Sequence, residues 1–470
     1  MRIGFIANSL LLFYFLVIAA VLPCTGCKND PLTLSLSDDD MPAYLYLLLV
    51  PTSGPAVSGV SPADGASDIP VSSNITVSFN TVMNPATVLL QAADGPCTGS
   101  VQISFNDFAT CISGTLNSPD NRVFTADPAS DLYSCGLYRV RITTAAQSAA
   151  GRSLGSEFSQ PTGFETYGDT SADWTEYAGN PMIPGGGTDG VDRAYYPFAI
   201  KAGAIYHIWY GDGSNTRHAA SYYHDFNDAT FPAPVVTGLD ATYAPYHPRV
   251  LYNASGWDIG SPSSHYDGPF LMYYTDGSAW TNPPRVAHSA DGGSWTDIGA
   301  CTGINSYGGN TTVYNLAVLY EGGTTWKGYA DNGLGHIQYY TSNNGLDWTG
   351  QAMDIMGAPY QAWENNGVQG NIAPCINMNG SAYVLYYSSG DARNDNAFGF
   401  ATSSDGQSFT KATGNPIFSI YDGIAWRDVR TYTTSIVQNN RMWLLYFSGR
   451  TNTPTTSYSV GFARKCGDLY

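Results

Sequence analysis

The sequence predicts an all-β protein, a β-sandwich followed by a five-bladed β-propeller. Composition is the first observation: Gly, Tyr and Trp are abundant and only 12% of the chain is charged. That balance suits short strands, tight turns and aromatic packing between sheets. The second is that no long stretch after residue 50 shows the apolar periodicity of a helix. The third is a set of motifs that recur at blade-sized intervals through the later part of the chain. With 470 residues, more than one domain is expected.

The first 54 residues stand apart. Arg2 gives a positive start, an apolar run follows from Leu10 to Leu22, and small residues lead to Cys24-Thr25-Gly26-Cys27. Residues 1–27 read as an export signal and not as part of the fold. The Thr-Gly-Cys ending resembles a bacterial lipoprotein cleavage box, which implies lipidation of Cys27; Cys24 stands where such boxes usually carry Leu. The alternative is an uncleaved membrane anchor, for which the apolar run is short. Residues 28–54 form a tether, and its apolar run Tyr44–Val50 packs on the next domain or touches lipid. The expected location is the cell envelope, at the outer membrane or cell surface, with a lipid anchor in the membrane.

Removal of the leader leaves Cys97, Cys111, Cys135, Cys301, Cys375 and Cys466. An oxidising compartment favours pairing among them. Three fall in each domain, so pairing wholly within domains leaves one odd cysteine on each side; the connectivity stays open. There is no close Cys pair after Cys27 and His is scarce, so neither a metal site nor a cofactor is expected.

Residues 55–168 carry the sandwich. A turn-rich opening, Val60 to Pro70, precedes Ile75-Thr-Val-Ser-Phe79, which alternates at period two, and Met83-Asn-Pro85 then breaks the strand. Tyr138-Arg-Val-Arg-Ile142 alternates again before Gly151 and Gly155. Short strands with regular breaks suit a β-sandwich. The Pro62–Gly65 turn, the Ile75–Pro85 strand and step, Tyr138–Val140, Gly151–Leu154 and Phe164–Thr166 resemble the bacterial Ig-like domains of S-layer and surface proteins. The resemblance implies a spacer or an adhesive module.

Residues 175–470 carry the propeller, and repeats decide this assignment. Aromatic strands run into glycine turns at Ile205–Tyr210, Phe270–Tyr274, Trp326–Tyr329, Tyr383–Tyr387 and Met442–Tyr446. Their last tyrosines stand at 210, 274, 329, 387 and 446, so the unit repeats every 55 to 64 residues, the size of a four-stranded blade. A second motif comprises Ser289-Ala-Asp-Gly-Gly-Ser-Trp295, Ser342-Asn-Asn-Gly-Leu-Asp-Trp348 and Ser403-Ser-Asp-Gly-Gln-Ser-Phe409. Its glycine supplies the positive φ of a tight hairpin, and its aromatic plugs the space between blades. A third motif, Gly179-Asn-Pro-Met-Ile183 and Gly414-Asn-Pro-Ile-Phe418, links neighbouring blades. The blades are placed near 190–240, 241–305, 310–358, 368–418 and 426–466.

The innermost strands then read Tyr196–Ile200, His247–Val250, Asn315–Val318, Ala373–Ile376 and Thr433–Ile436. With its Asn-Pro loops, Tyr-Tyr-x-x-Gly strands and Ser-x-Asp-Gly-x-x-Trp turns, residues 175–465 resemble the five-bladed glycoside hydrolases of families 43 and 32. The resemblance implies glycan chemistry by carboxyl groups at the channel mouth. In family 43 an Asp stands at or near the position before the Pro of the first two inner strands, and a Glu two before the Pro of a later one. These positions fall on Tyr196, His247 and Ile372, none a carboxylate, and the third blade offers only Asn315. Other acids lie just upstream of the inner strands: Asp189 and Asp192 before the first, Glu364 before the fourth and Asp428 before the fifth. Two or three of them are the candidate acid/base set, with Arg193, Arg427 or Arg430 orienting a substrate. Arg427-Asp428 echoes the Arg-Asp-Pro of family 32, in a different blade and without the Pro. His247 and Arg249 are candidate contacts to sugar hydroxyls, and His247 could carry a proton. Tyr195, Tyr196, Tyr246, Trp363 and Trp426 are candidate stacking walls.

Three functions stay open: a carbohydrate-active enzyme with an unusual acid set, a non-catalytic glycan-binding or adhesive protein, and a structural surface protein. The partner expected in the first two is a glycan or polysaccharide, and the protein is expected to be a monomer. Nucleic acid is excluded, because the net charge is -18 and no Lys/Arg cluster is present to neutralise phosphates.

Overall fold

The computed structural model describes residues 54–467 except 168–173, 186–192, 240–244, 260–264, 267, 277–281, 305–312, 314, 332–334, 358–359, 368–371, 392–393 and 453–456. Cys27, the rest of the leader and the tether up to residue 53 therefore lie outside the described residues, as do Asp189 and Asp192.

Two antiparallel sheets build the first domain. One has the order Val57–Ser61, Ile75–Phe79, Val123–Pro128, Gly114–Asn117; the other joins Val101–Ser104 to Leu137–Ile142, with Phe158–Ser159 and Phe164–Glu165 on the latter's far side. Alternation decides which faces meet. Ile75, Val77 and Phe79 point inward from one sheet, and Tyr138, Val140 and Ile142 from the other, sharing one core with Val101, Ile103 and Phe124. Both strands read from period-two alternation are present.

Beyond residue 174 the described residues form six antiparallel sheets: a two-stranded one pairs Trp257–Asp258 with His265–Tyr266, and the other five are arranged like the blades of a β-propeller. Blade 1 has the order Tyr195–Ala202, Ile205–Gly211, Thr216–Ser221. Blade 2 runs Pro245–Tyr252, Phe270–Asp276, Arg285–Ser289, Trp295–Ala300, and blade 3 Asn315–Gly322, Thr325–Asp331, Ile337–Ser342, Trp348–Ala352. Blade 4 runs Ile372–Asn379, Ala382–Asp391, Asn394–Ser403, Thr410–Lys411, with Phe418–Ser419 also on its third strand. Blade 5 runs Arg430–Asn439, Met442–Thr451, Ser457–Cys466, and its fourth strand is Thr175–Glu176, from before blade 1. The first strands lie against one another in a closed ring: blade 1 touches blades 2 and 5, blade 4 touches blades 3 and 5, and blade 2 touches blade 3.

Each seam between blades has its own apolar core. Trp209, Met272 and Trp295 fill the seam of blades 1 and 2; Leu271, Trp326 and Trp348 that of 2 and 3; Tyr329, Leu385 and Phe409 that of 3 and 4. Tyr386, Phe398 and Trp443 fill the next, and Tyr210, Leu444 and Phe462 close the ring.

The repeated motifs explain how the seams lock. In every Ser-x-Asp/Asn-Gly turn the serine Oγ accepts the N–H of the Asp or Asn and of the glycine, as Ser289 does from Asp291 at 3.2 Å and Gly292 at 2.8 Å. The Asp or Asn oxygen accepts two further N–H groups, as Asp291 does from Gly293 and Ser294. This leaves the glycine carbonyl facing the preceding blade. Gly292 O accepts Trp209 Nε1 at 2.8 Å, Gly345 O accepts Tyr273 Oη at 2.7 Å, and Gly406 O accepts Tyr329 Oη at 2.7 Å. Gly345 has φ of 72°, and a Cβ there would stand 2.7 Å from Ile259, so both conformation and space call for glycine.

The Asn-Pro motifs act as strand substitutes. Asn180 donates from Nδ2 to Phe462 O at 2.9 Å and accepts Phe462 N at 3.0 Å, and Asn415 does the same with Phe400 at 2.9 and 3.0 Å. A side-chain amide thus pairs with the third strand of a blade where backbone would otherwise be needed. The short closing strand is pinned by Arg427, which is buried and bonded to Glu176 and Asp422. Disulfides Cys97–Cys111 and Cys135–Cys466 form, the first within the sandwich and the second from the sandwich to the last strand of blade 5. Cys301 and Cys375 are buried and free. Contact of Tyr133 with His224 (4.6 Å) and Phe105 with Tyr223 (5.8 Å) completes the join of the two domains.

If the glycine carbonyl bonds latch the blades, Tyr273→Phe and Tyr329→Phe each lower unfolding free energy by about 1 kcal/mol in denaturant titrations. The double variant should show the sum, since the two bonds sit in different seams. Tyr421→Phe, 78% exposed, should leave the midpoint unchanged.

Candidate functional site

Four of the five inner strands begin with the same irregularity. Register shifts occur between Tyr195 and Phe198, Tyr246 and Arg249, Ile372 and Cys375, and Tyr432 and Thr434. At each shift one residue takes positive φ: Tyr196 at 54°, His247 at 53°, Ala373 at 51° and Thr433 at 49°. Such a backbone is unfavourable for side chains of this kind, above all for β-branched Thr433, and costs of order 1–3 kcal/mol per residue. A bulge re-aims side chains that regular pleating would send elsewhere. Tyr196, Ala373 and Thr433 are each braced by the preceding blade. Ser448 Oγ accepts Tyr196 N at 2.9 Å, Ser388 Oγ accepts Thr433 N at 3.0 Å, and Asp331 Oδ2 accepts Ala373 N at 3.2 Å.

The bulges bring side chains of different blades together. Tyr196 stacks on His247 with ring centroids 3.7 Å apart and meets Tyr432 edge-on at 5.6 Å. Tyr195 lies 4.3 Å from Tyr196 and 5.5 Å from Tyr458. Arg430 lies over Tyr432 at 4.2 Å, while Arg193 and Arg450 lie over Tyr458 at 5.5 and 5.2 Å. Below His247, Arg249 leaves blade 2, passes 5.2 Å over Phe198 of blade 1 and directs Nη2 to Pro374 O of blade 4 at 3.5 Å. A side chain that spans blades 1, 2 and 4 crosses the middle of the ring. Burial pushes the His247 imidazole down to about 3, aided by the charges of Arg249 and Arg430 and opposed by a hydrogen bond with Asn315. Burial pushes the Arg249 guanidinium down to about 10.

Tyr196, His247, Arg249 and Arg430, all expected from the sequence, thus form one cluster. The acids do not join it in the same way. Glu364 is fully buried, and its carboxylate accepts Tyr387 Oη at 2.7 Å, Lys411 Nζ at 2.9 Å and the Gln361 N–H. Those bonds tie the turn Ala362–Gly367 to blade 4. Trp363 stacks on Tyr387 at 5.4 Å and donates Nε1 to Gln361 Oε1 at 2.7 Å. Trp426 packs against Phe447 at 5.4 Å and over Gly449 and Gly461, where any Cβ would collide with it. Asp428 is exposed and makes no ion pair with the described residues. Tyr246 lies on the inner strand of blade 2, its side chain outside the described set.

The sequence reading missed Asp331, Tyr432, Arg450 and Tyr458. Asp331 had a partial signal: it stands two residues after Tyr329, as Ser448 stands two after Tyr446, whereas Ser388 stands one after Tyr387. Among the described residues no group of three His, Cys, Asp or Glu could hold a metal ion. A separate cavity of about 450 Å³ opens over blades 4 and 5, lined by Trp174, Phe400, Thr402, Lys411, Pro416 and Lys465 among others.

Residues 51–166 match the family model described as a bacterial Ig-like domain. Among curated proteins, none matches the chain. Among solved structures, a glycoside hydrolase aligns with TM-score 0.47 and 14% identity over 63% of this chain and 92% of its own. An α-L-arabinofuranosidase from Podospora anserina, in complex with cellotriose, aligns with TM-score 0.45 and 14% identity over 63% and 97%. A glycosyl hydrolase from Bacteroides ovatus aligns with TM-score 0.45 and 13% identity over 63% and 96%.

The buried imidazoles set a pH dependence. Burial pushes His207 down to about 4 and His218, His224 and His247 to about 3, from an ordinary value of 6.5. Below 6.5 the unfolded chain binds protons that the folded chain refuses. Stability is therefore fully present above about pH 6.5 and falls as pH drops toward 3, each group contributing up to about 1.4 kcal/mol per pH unit. Denaturant titrations at several pH values should show this loss, and His247→Gln should make its slope shallower.

Proposed function

We propose that the chain is an exported, lipid-anchored protein whose Ig-like spacer holds a five-bladed propeller that acts on or binds glycans. The site is the end of the ring where Tyr196, His247 and Tyr432 meet. One observation supports this reading above others: strained inner-strand bulges, braced from neighbouring blades, converge two tyrosines, an imidazole and arginines on one spot. A sugar offers apolar C–H faces and hydroxyl edges. Tyrosine rings suit the faces, while imidazole and guanidinium edges suit the hydroxyls. The folded chain invests strain exactly where such a ligand would sit, which a purely structural ring does not require.

For hydrolysis, two of Asp189, Asp192 and Asp428 are the acids assigned to proton donation and water activation; glycosidases of this kind need about 5–10 Å between two such carboxyls. The non-catalytic alternative has its own support. Tyr196, His247 and Ile372 occupy the positions where the resembling enzymes carry carboxylates, and every lone-pair direction of the Glu364 carboxylate that the fold uses is turned to Tyr387, Lys411 or backbone.

Screening the protein against aryl glycosides and polysaccharides separates these outcomes. Turnover that is lost in Asp192→Asn supports the enzyme; saturable glycan binding without turnover supports the binding protein; neither activity refutes glycan handling. Lipid labelling of the exported chain should disappear in Cys27→Ala, and persistence of the label would remove the anchor from this account.

A further inference from the structure

The guanidinium at the ring's centre has no carboxylate partner among the described residues. Arg249 is 2% exposed, and its acceptors are two carbonyls: Pro248 O at 3.2 Å and Pro374 O at 3.5 Å. Its Nε has no hydrogen-bond partner, and no carboxylate among the described residues reaches it. Other buried arginines of this fold are treated differently. Arg427, equally buried, is held by Glu176 and Asp422. An unpaired charge inside a protein costs several kcal/mol and is tolerated where a partner arrives from outside.

The rim above carries the same sign. Arg430 and Arg450 face each other directly across neighbouring strands of blade 5, a like-charge pairing that is unfavourable by itself. Among the described residues the Arg450 side chain donates to Asn452 at 3.1 Å, and its Nε has no partner there. This concentration of guanidinium groups occurs in a chain whose net charge is -18. At physiological salt charges farther than about 8 Å from the ligand are largely screened, so nearby guanidinium groups weigh more than the overall net charge.

We infer that the ligand of this site is an acidic glycan, one bearing carboxylates as uronic acids do, with Arg249 and Arg450 as its anion contacts. The inference rests on the glycan reading above. The planar guanidinium fits a carboxylate with two parallel hydrogen bonds, and Tyr196 and Tyr432 supply the faces against which the ring of the same sugar lies.

The test compares three probes on the full-length protein in detergent: oligogalacturonate, the same oligomer with its carboxyls reduced to alcohols, and inorganic chloride or sulfate. Calorimetry reads affinity and thermal unfolding reads stability. Oligogalacturonate should bind at least tenfold more tightly than the reduced oligomer. Arg249→Met should lose roughly ten- to a hundredfold of that affinity, the usual weight of a hydrogen bond to a charged group. The same variant without ligand should melt no lower than the parent, because it removes an unpaired charge; a marked fall would make Arg249 a structural residue and overturn the inference. Arg450→Gln, which is half-buried, gives a second reading of affinity should Arg249→Met fail to fold. Equal binding of the acidic and reduced oligomers overturns the acidic preference and leaves glycan handling standing. Binding of neither oligomer, with no glycan bound in the wider screen, overturns both. Stabilisation by inorganic anions with none added by oligogalacturonate also overturns it.

Discussion

The hydrogen bond from an aromatic side chain to the glycine carbonyl of the next blade's turn is the constraint on which the architecture rests. A propeller blade packs mainly on its two neighbours, so the seams do most to keep the inner strands in a common register. The Ser-x-Asp/Asn-Gly turn solves this with its own side chains. Serine and Asp or Asn satisfy the turn's N–H groups, and the freed glycine carbonyl becomes the acceptor for Trp209, Tyr273 or Tyr329. The aromatic that ends the motif, Trp295, Trp348 or Phe409, is buried in the same seam. One short sequence motif therefore supplies turn, latch and packing together.

That register matters because the braces of the site also cross seams. Ser448, Ser388 and Asp331 each hold the N–H of a strained residue on the following blade. Were a blade to slip by one residue, these braces would lose their partners, and Tyr196 and His247 would turn away from each other. Strain at Tyr196, Ala373 and Thr433 is thus sustained by contacts outside their own strands. The Arg427–Glu176 ion pair and the Cys135–Cys466 disulfide serve the same end at the point where the ring closes.

Much of this was legible in the residues, for a physical reason. A blade is a repeated packing problem, so its solution recurs: tyrosines at 210, 274, 329, 387 and 446 mark the second strands, and the Asn-Pro motifs mark the strand substitutes. Alternation at Ile75–Phe79 and Tyr138–Ile142 exposed the sandwich strands because each buries one face. Features that depend on closure were hidden. A two-residue strand such as Thr175–Glu176 has no period to read, and its place in blade 5 follows only from the ring. The partner of Cys135 lies 331 residues away and was open for the same reason. Glu364 and Asp428 looked alike in sequence, both acids in loops before inner strands. Only packing distinguishes a carboxylate locked to Lys411 from an exposed one.

The account centres on the ring end built by the four bulges as the place where a glycan is held. Amide hydrogen exchange with and without a bound oligosaccharide tests this most directly. Slowed exchange should fall on Tyr195–Phe198, Tyr246–Arg249 and Arg430–Thr434, from three separate blades. Protection confined to the Ig-like domain, or to the residues around Trp174 and Lys411, would contradict it.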